Sequence, residues 1–118
     1  MEAPPTGAVV LISFPFSDLS RSKLRPAVVL ASVSRGDYVL CQVTSNPYAD
    51  PNAVELTEEH FREGGLQRVS YARPGKLFTA NIGLFENQVG LLNEEVRGKI
   101  VSEIVRLLRA GEMPSESG

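Results

Sequence analysis

Three short, apolar segments rich in β-branched residues follow one another within the first 45 residues of the chain. They span residues 8–14, 26–33 and 38–45, with turn-forming Gly, Pro, Ser and Asp residues around them. Segments of this length and composition between turn signals are typical of β-strands. The first is apolar along most of its length, which predicts a strand buried on both faces.

Additional strands are predicted in the middle of the chain. The segment 15–25 is expected to be a loop and 34–37 a turn. Later strands are expected over 53–56, 66–72 and 76–82. Between them, Thr57 is expected to cap a short helix that Gly64 and Gly65 end.

The last predicted element is an α-helix that Asn93 caps and Gly111 ends. Its apolar residues recur at helical spacing, which indicates a packing face. They are Val96, Ile100, Ile104, Leu107 and Leu108. The predicted fold class is mainly β: a small antiparallel barrel or curled sheet with one C-terminal α-helix. We expect one domain over residues 1–118, with a core of about 7–110 and a flexible tail over 111–118.

Composition excludes several classes of protein. The single cysteine, Cys41, excludes a disulfide framework and a thiolate metal cage, and the single histidine, His60, excludes a catalytic site that needs two. No apolar run is long enough to span a bilayer, and a basic signal-peptide start is missing. We therefore expect a cytoplasmic protein without membrane association, metal or cofactor. Cys41 is expected to be buried and inert, and His60 to be solvated.

The charge distribution is uneven although the net charge is only −2. Two windows, residues 19–36 and 64–85, contain cations and no acidic residue. The cations in them are Arg21, Lys23, Arg25, Arg35, Arg68, Arg73 and Lys76. The windows are compatible either with scattered surface cations or with one locally positive face, because salt screens charges beyond about 8–10 Å.

The second and third strands are expected to form a hairpin around Arg35 and Gly36. Pairing from that turn places Leu30 opposite Cys41, Val28 opposite Val43 and Ala27 opposite Thr44. One face of the hairpin is then apolar and expected in the core, and the other is mixed and expected to meet solvent or a partner. Arg25 and Thr44 share the mixed face as diagonal neighbours, about 7–8 Å apart between backbones. A slip of one residue would separate them.

An arginine and a threonine at this position could act on a phosphodiester. A guanidinium grips phosphate and stabilises charge that develops on it, and a hydroxyl can donate to a phosphoryl oxygen. RNA carries its own nucleophile, the 2′-hydroxyl, so that neither a metal nor a histidine is required. An ordinary surface pair is the alternative.

Several segments in order resemble the MazF/PemK toxins of type II toxin–antitoxin systems. They are GAVVLISFPF at 7–16, SDLSRSKL at 17–24, RPAVVL at 25–30, VTS at 43–45 and KLFT at 76–79. The resemblance covers about residues 7–108. It implies an SH3-like barrel of the CcdB/MazF type and a homodimer. It also implies metal-independent, sequence-specific cleavage of single-stranded RNA to 2′,3′-cyclic phosphate and 5′-hydroxyl ends, and a cognate antitoxin as partner.

By the same resemblance, Arg25 and Thr44 are the expected catalytic residues. The expected RNA-binding residues are Ser20, Arg21, Lys23, Ser45, Asn46, Tyr48 and Lys76. Phe14, Phe16, Phe78 and Phe85 are expected in the core or a dimer contact. Two other functions remain open: a non-enzymatic toxin or binding module on the same barrel, such as a CcdB-like gyrase poison, and a decayed toxin kept as a scaffold.

Overall fold

Strands dominate the computed structural model of the protein, which describes residues 1–15 and 22–111. Within these residues the strands are Ala8–Pro15 (β1), Ser22–Ser34 (β2), Asp37–Thr44 (β3), Val54–Leu56 (β4), Phe61–Gly64 (β5), Ser70–Asn81 (β6) and Phe85–Leu92 (β7). They form one sheet in the order β4-β6-β3-β2-β1-β7-β5, with every neighbouring pair antiparallel. The two outer strands, β4 and β5, are joined only by residues 57–60. The sheet therefore curls into a half-barrel that brings its edges together.

Both faces of the central strands are buried. On one face, Val9, Val28, Cys41 and Val43 pack in a cluster with residues of the C-terminal helix. On the other face a second cluster forms, which contains Ala8, Val10, Ile12, Ala27, Val29, Tyr38, Leu40, Ala80 and Phe85. The prediction that β1 is buried on both faces is confirmed. The predicted solvent-facing side of the hairpin is wrong for Ala27, Val29, Tyr38 and Leu40, because the second cluster covers them.

The C-terminal helix, Glu94–Ala110 (α1), begins where the sequence predicts. The Asn93 side chain accepts a hydrogen bond from the Val96 backbone N–H, and Gly111 caps the other end. Val96, Ile100 and Ile104 are the buried residues that hold α1 against the sheet. Leu108 is 65% exposed, which corrects its expected place in the packing face. The predicted fold class, mainly β with one C-terminal helix, is confirmed.

The register of the β2–β3 hairpin differs from the prediction. Val28 pairs with Cys41 and Ala27 with Gln42, because β2 carries one extra residue at each of two irregularities between Val29 and the turn. Each extra residue moves the pairing by one, so the two together move it by two. Since side chains alternate with a period of two, the predicted faces are kept while the predicted partners are wrong.

Other predicted elements change where tertiary pairing overrides local sequence signals. The short helix after Thr57 is only a 3₁₀ turn, Glu58–His60, and β5 follows it directly. The two strands predicted over 66–72 and 76–82 are one strand, β6, and β7 was not predicted. The predicted loop 15–25 is shorter, because Pro15 pairs with Ser22 in the β1–β2 ladder.

Two glycines allow β5 to lie against β7. Gly64 has a φ of +61°, and a Cβ there would overlap the Val89 carbonyl oxygen. Gly90 lies under the Phe61 ring, and a Cβ there would come within 2.8 Å of the ring. The sheet can close on this side only with glycine at both positions. Among the described residues, no helix is long and apolar enough to cross a membrane.

Candidate functional site

A cavity of about 840 Å³ opens where β2 begins and β3 ends. The β2–β3 ladder stops at Ala27 and Gln42, one residue before Pro26, which has no N–H to extend it. Residues 65–68 and Val89 form the opposite wall. The cationic residues that line the cavity are Lys23, Arg25 and Arg68. No acidic residue lines it among the described residues, which makes it a suitable seat for an anion.

Arg25 and Thr44 both line this cavity. The β2–β3 ladder ends two residues before either of them, and its register extended to these positions would set Arg25 opposite Thr44. Arg25 is paired with Ile12 on β1, and Thr44 with Tyr71 on β6, so each backbone is held by a neighbouring strand. The structure thus places the two expected catalytic residues in the lining of one cavity.

The Thr44 hydroxyl is held by the turn that follows β3. Its Oγ1 donates to the Asn46 carbonyl oxygen over 3.0 Å and accepts from the Asn46 N–H over 3.1 Å. The Asn46 side chain in turn accepts from the Tyr48 N–H over 2.9 Å. These side-chain-to-backbone bonds shape the turn, in which Tyr48 and Ala49 adopt positive φ angles of 51° and 57°.

Tyr48 lines the cavity, and its ring lies beside an arginine of β6. The Arg73 guanidinium carbon lies 5.7 Å from the centre of the Tyr48 ring, within cation–π range. Arg73 Nε donates to Asp50 Oδ2 over 2.9 Å. This hydrogen bond lowers the pKa of the Asp50 carboxyl below its ordinary value. Arg73 and Asp50 were not among the predicted site residues.

The remaining predicted RNA-binding residues differ in their position relative to the cavity. Lys23 and Ser45 line the cavity, and Asn46 is exposed in the turn beside it. Lys76 is exposed on β6 but does not line the cavity. Ser20 and Arg21 lie outside the described residues, as do Phe16, most of the loop 17–24 and the predicted tail beyond Gly111.

Sequence reasoning missed the wall formed by residues 65–68. Arg68 and Gln67 line the cavity opposite Arg25, and Ser70 lies beside them. The available signal was the acid-free window 64–85, which contains Arg68. That window indicated positive charge, but only the folding of β6 against β3 shows that it faces the same space as Arg25.

The two residues that the sequence analysis set apart have structural roles. Cys41 is buried, as predicted, and burial raises the pKa of its thiol to about 12. His60 is half-buried rather than solvated, because its Nδ1 accepts a hydrogen bond from the Thr57 N–H over 2.9 Å. Among the described residues, no three His, Cys, Asp or Glu side chains are grouped to hold a metal ion.

A second cavity, of about 690 Å³, adjoins the first along residues 66–68. It lies at the seam between the sheet edges, where Leu56 ends β4 and Phe61 begins β5. Glu58 and Glu59 line it, so a phosphate would meet repulsion there. Of the two cavities, the one beside Arg25 and Thr44, which has no acidic residue in the described part of its lining, is the better candidate for a phosphodiester site.

The curled sheet with a C-terminal helix is the fold of the MazF endoribonuclease toxins. One chain of MazE–MazF (Form-II) from Deinococcus radiodurans matches with a TM-score of 0.73 and 21% sequence identity, over 92% of this chain and 98% of that one. An endoribonuclease in complex with its cognate antitoxin, from a mycobacterial species, matches with a TM-score of 0.68 and 17% identity, over 98% of this chain and 99% of that one.

The Mycobacterium tuberculosis toxin MazF-mt6 has the same fold, with a TM-score of 0.68 and 13% identity over 86% of this chain and 96% of that one. No protein-family model and no curated protein matches the chain at the level of sequence. At these identities the likeness establishes the fold, and it confirms the predicted MazF-type barrel.

Proposed function

We propose that this protein is the toxin of a type II toxin–antitoxin system, a metal-independent endoribonuclease that cleaves single-stranded RNA. The observation that carries the proposal is the position of Arg25 and Thr44 on the wall of one cavity whose lining, among the described residues, contains cations and no acid. The MazF fold supports it, since the neighbours of this fold include endoribonucleases and complexes with an antitoxin. We propose the same kind of partner for this chain, together with a homodimer and a cytoplasmic location.

In this proposal Arg25 binds the scissile phosphate. Its guanidinium donates to two phosphoryl oxygens and stabilises the negative charge that grows on them during attack. Thr44 donates its hydroxyl proton to a phosphoryl oxygen, exchanging the hydrogen bond that it gives to Asn46 in the free protein. The 2′-hydroxyl oxygen gives its proton to water and attacks phosphorus, the bond to the 5′-oxygen breaks, and that oxygen takes a proton from water, which leaves a 2′,3′-cyclic phosphate and a 5′-hydroxyl.

The cations around the pair bind the rest of the RNA backbone. Lys23 and Arg68 line the same cavity and can each neutralise a neighbouring phosphate. Ser45 and Asn46 offer hydrogen-bonding groups to bases, and Tyr48 offers a ring. We also propose Ser20, Arg21 and Lys76 as contacts to RNA.

Purified protein and single-stranded RNA in excess EDTA test the proposal, with the fragment ends sequenced. We expect cleavage at a short motif with cyclic-phosphate and 5′-hydroxyl ends. Arg25→Gln should lower the rate by about 10²–10³-fold, the usual effect of losing one donor to a developing anion. Arg109→Gln, a matched change on the exposed end of α1, should leave the rate unchanged.

Two results would contradict the proposal. One is intact RNA after incubation with protein whose circular dichroism shows a folded sheet. The other is cleavage that Arg25→Gln does not slow. If intact RNA were accompanied by capture of a topoisomerase, the gyrase-poison alternative would replace the nuclease.

A further inference from the structure

The Tyr48 ring is held in an unusual position at the edge of the cavity. Its backbone has a φ of 51°, which is uncommon for an aromatic residue, and Asn46 fixes its N–H. The residue remains 66% exposed, although an aromatic ring normally gains free energy by burial. The fold therefore keeps an apolar surface open beside Thr44, where a substrate would lie.

Arg73 contacts the ring from a rigid site. The β3–β6 pairing jumps from Cys41 with Leu77 to Val43 with Ala72, so that residues 73–76 bulge out of the ladder. Such a bulge re-aims the side chains that it contains. At its start, the Arg73 carbonyl accepts a hydrogen bond from the Cys41 thiol over 3.1 Å, while Pro74 beside it is fully buried.

The Arg73 side chain is fixed as firmly as its backbone. Its Nε donates to Asp50 over 2.9 Å, and the two side chains are only 19% and 11% exposed. Asp50 itself accepts from the Asn52 N–H over 2.9 Å, so the carboxylate is held from two sides. The guanidinium that lies over Tyr48 is thus fixed by contacts outside the cavity.

We propose that Arg73, held by Asp50, is a positioning residue that presents the Tyr48 ring as a platform on which a nucleobase of single-stranded RNA stacks. The inference rests on the proposed function for its ligand. One side of the ring faces the guanidinium and the exposed remainder faces the cavity. Unpaired bases stack readily on aromatic rings, and each such contact strengthens binding about five- to hundred-fold. Tyr48 would then set the position of the base next to the scissile phosphate.

A tryptophan reporter can detect the stacked base directly. The chain contains no tryptophan, so Tyr48→Trp introduces a single fluorophore at the platform. The probe is a short, mixed-sequence 2′-O-methyl RNA, which binds but lacks the 2′-hydroxyl needed for cleavage. We expect saturable quenching of the tryptophan emission, because a stacked base quenches indole fluorescence.

Two further substitutions, each made in the Tyr48→Trp protein, test whether Arg73 positions the ring or only contributes positive charge. Arg73→Gln removes a positive charge and Asp50→Asn removes a negative one, so a purely electrostatic role would move RNA affinity in opposite directions. Positioning predicts the same direction for both: less quenching at saturation and about five-fold or more weaker binding. Arg109→Gln, on the exposed end of α1, should change neither quantity. Circular dichroism checks folding, and Asp50→Asn remains informative if Arg73→Gln does not fold.

The fluorescence results test this inference, and the cleavage assay tests the proposed function separately. Bound RNA without quenching overturns the platform, and quenching that neither Arg73→Gln nor Asp50→Asn reduces overturns the positioning role, even if wild-type protein cleaves RNA. Opposite shifts in the two variants overturn it as well. If quenching depends on Arg73 but the wild-type protein does not cleave RNA, the stacking role of Tyr48 is supported and the proposed nuclease function is contradicted. If neither quenching nor cleavage is observed, both the stacking role and the nuclease function are contradicted.

Discussion

Cys41 donates a hydrogen bond from its thiol to the carbonyl oxygen of Arg73 over 3.1 Å. The two residues lie on neighbouring strands, and the bond joins the hydrophobic core to the bulge that carries Arg73. A buried thiol that keeps its proton is required for this contact. The core and the candidate site are therefore connected through a group that titrates.

Alkaline pH should weaken the fold through Cys41. Burial raises the thiol pKa from its ordinary value of 9.0 to about 12. A group whose pKa is raised by folding stabilises the native state fully below its unfolded pKa, and this contribution is lost as pH rises through the folded value. We expect the free energy of unfolding of the wild type, relative to Cys41→Ala, to fall between pH 9 and about 12. Urea titrations of both proteins at several pH values measure the difference; a constant difference contradicts the assignment.

Thr44 should be required for its hydroxyl rather than for its shape. Thr44→Val keeps the volume and removes both hydrogen bonds to Asn46, and we expect cleavage of RNA to fall by about 10²-fold or more. Thr44→Ser keeps the hydroxyl and should stay within about ten-fold of the wild type. Single-turnover rates on the identified motif provide the measurement. Equal rates for the two variants would remove Thr44 from the chemistry.

Binding of RNA should weaken steeply with salt. Three cations of the described residues line the cavity, and each phosphate neutralised on a single strand contributes about −0.7 to the slope of log K against log salt concentration. We expect a slope of about −2, and a slope less negative by about 0.7 for Arg68→Gln. Affinities for uncleavable RNA across a salt series supply the slopes, with Arg109→Gln as the charge-matched control. An unchanged slope for Arg68→Gln would place Arg68 outside the interface.

Two glycine-to-alanine substitutions should act in opposite directions. Gly64→Ala places a Cβ against the Val89 carbonyl at a positive φ, and we expect a loss of about 2 kcal/mol or more. Gly98 lies inside α1 with no atom within 4 Å of a new Cβ, so Gly98→Ala should add about 0.5–1 kcal/mol. Thermal unfolding of both variants tests the pair. A stable Gly64→Ala protein would contradict the close approach of β5 and β7.

The elements that could be predicted are those whose own residues form a local sequence pattern. β1 is almost wholly apolar, and α1 has a cap and an apolar stripe, so each is recognisable without its neighbours. β7 carries Glu86, Asn87 and Gln88 in a row, all exposed. Its strand conformation comes from pairing with β1, far away in sequence, which no local pattern reveals.

The candidate site shows the same division. The two irregularities in β2 shift the register by an even number of residues, so the predicted partners are wrong while the extended register still assigns Arg25 and Thr44 to one face. Arg73 could not be predicted in this way. The position of the Arg73 guanidinium over the Tyr48 ring depends on a bulge in β6 and on Asp50, which comes from the loop before β4.

The pairing of β1 with β7 also determines when the groove can exist during synthesis. Val89 of β7 contributes to the wall of the cavity, and β1 has β7 as its neighbour on the side away from β2. A nascent chain therefore carries Arg25 and Thr44 long before the ribosome has released the strand that completes their surroundings. The order of the strands therefore makes the assembly of this cavity a late event in synthesis, because the cavity needs residues from both β2 and β7.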